Sequence, residues 1–94
     1  MNFLKTVAAV VAFVLARRAQ IEGFITDAET VFPAAGSGLL KLQYVLGRIF
    51  TYAQDAEDEL AKLPPDTVAA MLSGHISQIV AKLFPQPPPL KAGT

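Results

Sequence analysis

Ninety-four residues with a mass of 10.0 kDa leave room for one modest core. Eight basic and eight acidic residues cancel to a formal net charge of +0, so no overall field draws in a nucleic-acid backbone, and with no cysteine there are no disulfide staples, zinc ribbons or thiol nucleophiles. Hydrophobic residues make up 52% of the chain against 17% charged, more apolar surface than so small an interior hides, and the surplus has to meet lipid, a partner protein or another copy.

The charge alternates in blocks along the chain: basic through Lys5, Arg17 and Arg18, acidic through Glu22, Asp27 and Glu29, basic at Lys41 and Arg48, acidic from Asp55 to Asp66, and basic again at Lys82 and Lys91. Such alternation suits neighbouring helices, or neighbouring copies, that meet with opposite signs facing. Each exposed pair contributes only ~0–1 kcal/mol, so the pattern sets register more than stability.

The first segment is the greasiest. Val7 to Ala16 is an unbroken apolar run between Lys5 and the pair Arg17 and Arg18. Three readings compete. A basic start, a short apolar stretch and small residues at its end resemble a signal peptide. As a transmembrane helix, residues 1–16 reach roughly 24 Å at ~1.5 Å per residue, short of a hydrocarbon core of about 30 Å. As a protein-buried helix, the run needs only an apolar partner surface, and a helix greasy all round is expected to be enclosed. The last reading is preferred, with Phe3, Val7, Val10, Val11, Phe13, Val14 and Leu15 as the residues to be sheltered by protein or, failing that, by membrane.

Phe3, Val7, Val10, Val14, Ile21, Phe24, Ala28 and Val31 follow steps of four and three, with Arg17 filling the single gap. The spacing predicts one helix from about 2 to 31, ended by the residue-before-proline restriction at Pro33. Residues 33–38 then form a turn, with Ser37 as N-cap of the next helix. Their glycines do not make a phosphate loop, because the Walker spacing and a preceding strand are missing and Lys41 follows too soon.

Leu39, Leu42, Leu46, Ile49, Ala53, Ala56, Leu60 and Leu63 recur at alternating steps of three and four, which predicts a second helix from about 38 to 62 carrying a continuous seam. That seam serves either an intramolecular hairpin core or self-association. Asp55, Glu57, Asp58 and Glu59 form an acidic group on this helix; lacking the carbonyls and bend glycine of a calcium loop, it is expected to be a solvated face. Pro64 and Pro65 stop the helix, and Asp66 is the expected N-cap of a third, from about 66 to 84, whose apolar face is Val68, Leu72, Ile76, Ile79 and Leu83. His75 has Ser73 and Ser77 nearby in sequence. Residues two apart on a helix point in divergent directions, so no nucleophile is presented to the imidazole. Residues 85–94, with four prolines, are expected to be an extended polyproline tail containing an imperfect PxxP match.

Asp27-Ala28-Glu29 with Phe32, the glycine pair Gly36 and Gly38, Lys41, and Tyr44-Val45-Leu46 resemble small bacteriophage proteins, in particular the phage LL-H type holin-like family, over about residues 20–84. The resemblance implies an N-terminal membrane segment, a final amphipathic helix and no catalytic residues. The short apolar run and the proline tail depart from that pattern.

The expectation is therefore an all-α chain of three helices, forming a single domain over 1–84 with the apolar segment 3–16, followed by the tail. Its expected role is that of a non-enzymatic phage structural or assembly protein, in the virion or the infected host. Its expected partners are itself or other phage proteins, with no cofactor, metal, nucleic acid or small-molecule substrate. The alternative is a holin-like inner-membrane protein that inserts residues 1–16 and oligomerises.

Overall fold

A computed structural model describes residues 3–33 and 37–84. Among them the architecture is all-helical with no strand, as the periodicities require, but there are four α-helices where three were expected. They are α1 (Phe3–Ala16), α2 (Arg18–Val31), α3 (Gly38–Asp55) and α4 (Pro65–Leu83), with a one-turn 3₁₀ helix at Glu59–Lys62 between the last two. The middle of the 33–38 turn and the proline tail lie outside the described residues.

The predicted first helix is divided at Arg17, whose φ of −117° and ψ of 27° leave the helical basin. The ladder is barely interrupted: Arg17 N–H donates to Phe13 O at 2.8 Å and Ile21 N–H to Arg17 O at 3.0 Å. The stripe carries straight across the break, since Val10, Val14, Ile21 and Ala28 are all buried. What the stripe could not reveal is length. A straight helix over 2–31 would run roughly 45 Å, whereas helices the size of α3 and α4 run roughly 27–29 Å. Breaking at Arg17 allows α1 to pack on α4 and the 3₁₀ turn while α2 packs on α3. The break is not free, because Arg17 Nε is buried without a hydrogen-bond partner, a cost of about 1–3 kcal/mol; the guanidinium lies 5.9 Å from the Tyr52 ring centroid, and the cation–π attraction offsets part of that cost.

The second expected helix stops at Asp55, short of the predicted 62, and the reason is a Schellman cap. Glu57 N–H donates to Gln54 O at 3.1 Å, and Asp58 N–H donates to Ala53 O at 2.8 Å. Glu57 occupies the left-handed position with φ 53°, where glycine is usual. The chain then turns, and the Asp58 carboxylate accepts from Leu60 N–H at 3.0 Å to start the 3₁₀ turn. The reversal keeps both distal leucines useful: Leu60 and Leu63 are buried.

The third expected helix matches α4. Pro65 is at its N1 position, where no amide hydrogen is needed, so Asp66 lies in the first turn and is not the cap; Pro64 is. Asp66 and Lys82 sit at the ends where the helix dipole favours their charges. One contiguous core results, with Val10, Phe13 and Val14 from α1, Ile21, Ile25 and Ala28 from α2, Val45, Ile49 and Ala53 from α3, Leu60 and Leu63, and Val68, Leu72, Ile76 and Ile79 from α4.

Candidate association surface

Helix α1 buries Thr6, Val10, Phe13 and Val14. Its other side exposes Leu4, Ala8, Val11, Ala12, Leu15 and Ala16, with Lys5 as the charged residue among them. Leu4 and Leu15 are 72% and 73% exposed and Phe3 64%, whereas the hydroxyl-bearing Thr6 is 1% exposed. Helix α1 is thus apolar on both arcs, with one hydroxyl residue turned inward, where a surface helix usually has a polar outer arc. Sequence explains both halves. Val10 and Val14 are four apart and Phe13 lies between them on the inward arc, while Leu4, Ala8, Val11 and Leu15 recur at steps of four, three and four on the outward arc. Covering one such leucine is worth about 1.5–3 kcal/mol, so water is a costly neighbour for this face.

Of the residues expected to be sheltered, Val10, Phe13 and Val14 are buried within the chain, Val7 is half-buried, and Phe3, Val11 and Leu15 are exposed. The seam divides as well. Ile49, Ala53, Leu60 and Leu63 are in the core, Leu42 and Leu46 are half-buried against it, and Leu39 and Ala56 are exposed. Leu39 and Leu40 on α3 and Val31 on α2 are large apolar side chains exposed at the two ends of the α2–α3 connection.

The contact between α2 and α3 is built differently. Arg48 on α3 stacks 4.8 Å from the Phe24 ring and 5.6 Å from the Tyr44 ring, donates to Tyr44 Oη at 2.7 Å, and lies 3.7 Å from an Asp27 oxygen. Lys41 Nζ donates to Glu29 Oε1 at 3.0 Å. The acidic second block and the basic third block of the sequence therefore meet across α2 and α3. Edge-on ring contacts join Tyr52 to Phe13 and Phe24, and Tyr44 to Phe32. The pairing of these rings with Arg48 and Arg17 escaped the sequence reading. Its signal was present as Tyr44, Arg48 and Tyr52, spaced four apart on one helical face.

Between α2, α3 and α4 lies a groove of about 680 Å³ lined by Ile25, Leu42, Val45, Ile76 and Val80, to which Glu29 and Lys41 add a mutually neutralised charge pair. Among the described residues its lining holds two hydroxyls, Ser37 and Ser77, and no histidine. Ser73 Oγ donates to the Ala69 carbonyl at 2.8 Å, its hydroxyl spent within the helix, and His75 is half-buried on α4. The acidic group is dispersed by the Schellman turn, with Asp58 engaged as a cap. Among the described residues no three metal-ligating side chains cluster, and no helix is long and apolar enough to cross a membrane. Ser37 is the N-cap residue of α3 by position, but its hydroxyl donates to Phe32 O at 3.1 Å and accepts no capping bond from the helix N–H groups.

No protein-family model, curated protein or solved structure gives a significant match to this chain. The likeness to small phage proteins rests on the short motifs alone.

Proposed function

We propose that this chain is a non-enzymatic bacteriophage structural or assembly protein that works by burying the outer face of α1 against protein. One observation carries the reading: an exposed helix face made of Leu4, Ala8, Val11, Ala12, Leu15 and Ala16, while the same helix turns Thr6 inward. The short motifs between Asp27 and Leu46 supply the phage context. Association is driven by the apolar face, at about 25 cal/mol for each Å² removed from water.

A second reading keeps the same face and changes its cover. Lys5, Arg17 and Arg18 border an apolar run that has no carboxylate before Glu22, an arrangement suited to an anionic membrane. In this holin-like reading, residues 1–16 insert into a thinned bilayer and the chain oligomerises there.

Expression of the full chain in bacteria separates the two. An assembly protein is released by alkaline carbonate and sediments in protein assemblies that Leu15→Glu disperses. Retention in the carbonate-washed membrane fraction, with loss of membrane potential on expression, would replace it with the holin-like reading.

A further inference from the structure

We infer that the elbow at Arg17 is a hinge through which α1 is exchanged between two copies of this chain. This goes beyond the assembly reading above and does not depend on what covers the outer face of α1. The receiving surface is the seat that α1 occupies within its own chain, made by α4, the 3₁₀ turn and α2. Thr6, Val10, Phe13 and Val14 are the side chains buried there, and Phe13 meets the Tyr52 ring edge-on at 6.2 Å. A second copy presents the same seat, so exchange reproduces these contacts between chains, with the packing and charge they already have.

The hinge is short, and its residues favour a helix. Arg17 alone separates Ala16 from Arg18, and the backbone bonds from Arg17 N–H to Phe13 O and from Ile21 N–H to Arg17 O are intact on its two sides. Neither proline nor glycine occurs from Phe3 to Glu22, and Ala16, Arg17, Arg18, Ala19 and Gln20 are all good helix formers. Rotation of Arg17 into the helical basin therefore carries α1 away from its own α4 without unwinding α1 or α2. A hinge of one residue leaves the closed elbow no slack, which is the circumstance that favours exchange between copies.

The closed elbow also carries a cost that opening removes. Arg17 Nε is buried there without a hydrogen-bond partner, and an open elbow admits water to it. In the exchanged dimer the two elbows meet near the two-fold axis. The arginines gathered there face carboxylates as well as each other, because Glu22 pairs with Arg18 at 2.9 Å and the exposed Asp55 lies one turn beyond Tyr52 on α3. Within one chain the hinge holds α1 beside its seat at about millimolar effective concentration, so the exchanged dimer forms at roughly 0.1–1 mM and is absent from dilute protein.

Because the chain has no cysteine, single-cysteine variants report on the exchange without background. Phe3 at the start of α1 and Ala70 on α4 line one shallow hollow, and both are exposed, so each can be replaced without disturbing the core. Phe3→Cys and Ala70→Cys chains are mixed, unfolded in urea, refolded together at roughly 500 μM and treated with a short bismaleimide, while the unaltered chain is sedimented to equilibrium up to the same concentration. A dimer is expected, with 3-to-70 links between unlike chains dominating over 3-to-3 and 70-to-70. Arg17→Gly is expected to lower the dimer association constant about 10–100-fold, since glycine resists the helical basin in both hinges, and to keep the helical circular-dichroism signal of the monomer. Protein that stays monomeric at the highest concentration overturns the exchange, as does a dimer without the 3-to-70 link. A dimer that Arg17→Gly leaves unchanged overturns Arg17 as the hinge.

Discussion

Helices α1 and α2 are each 14 residues long and share one inward stripe across the break at Arg17, yet their outward faces are opposite in kind. That of α2 is mainly polar, exposing Gln20, Thr26, Asp27 and Thr30 with Ala19 and Val31 near its ends, and Arg48 and Lys41 from α3 reach its acidic side chains. That of α1 exposes leucine, valine and alanine. The fold needs only the inward stripe, and both helices provide it. The exposed apolar side of α1 lies outside that packing, and the proposed function assigns it a cover.

The comparison can be broken from several directions. The largest effect is expected inside: Leu72→Ala, at a fully buried position of α4, should lower unfolding free energy by about 2–5 kcal/mol in urea titrations, because it leaves a cavity among side chains from several helices. An Arg48→Ala change removes the stack on Phe24 and Tyr44 and the ion pair to Asp27, all half in water; a loss of about 1 kcal/mol is expected, with Arg48→Lys intermediate because an ammonium cannot stack as a planar guanidinium does. Replacing Glu57 by glycine should raise stability by about 0.5–1 kcal/mol, since glycine takes the left-handed cap position without steric cost; a lower melting temperature would refute the cap assignment. The smallest effect belongs to the outer face of α1. Leu15→Gln should shift the unfolding free energy of dilute monomer by no more than about 0.5 kcal/mol. A loss comparable to that of Leu72→Ala would mean Leu15 is part of the core, and the contrast between the two helices would vanish.

Much of the interior was legible from spacing. Of the first stripe Val10, Val14, Ile21 and Ala28 are buried, Val7 and Phe24 half-buried, and Phe3 and Val31, at its two ends, exposed; of the other Val68, Leu72, Ile76 and Ile79 are buried and Leu83 half-buried. The two helix breaks were not legible, for different reasons. At Arg17 there is neither proline nor glycine, and the stripe keeps its phase through the interruption, so periodicity carries no mark of it. At Glu57 the usual glycine of a left-handed cap is replaced by a residue with high helix propensity. The seam from Leu39 to Leu63 kept its period across a turn of the chain, and only Ile49, Ala53, Leu60 and Leu63 of it are buried in the core. On α1, composition announced a helix greasy on every side; it did not tell which side the bundle would take.

By itself the sequence determined the class of the fold, the inward stripes and an apolar surplus too large for one small core, because these follow from residue type and a 3.6-residue repeat. Tertiary structure decided where the long stripes break and which arc of α1 faces water. Those choices depend on matching helix lengths around a shared core, a constraint among elements distant in sequence that no local spacing contains.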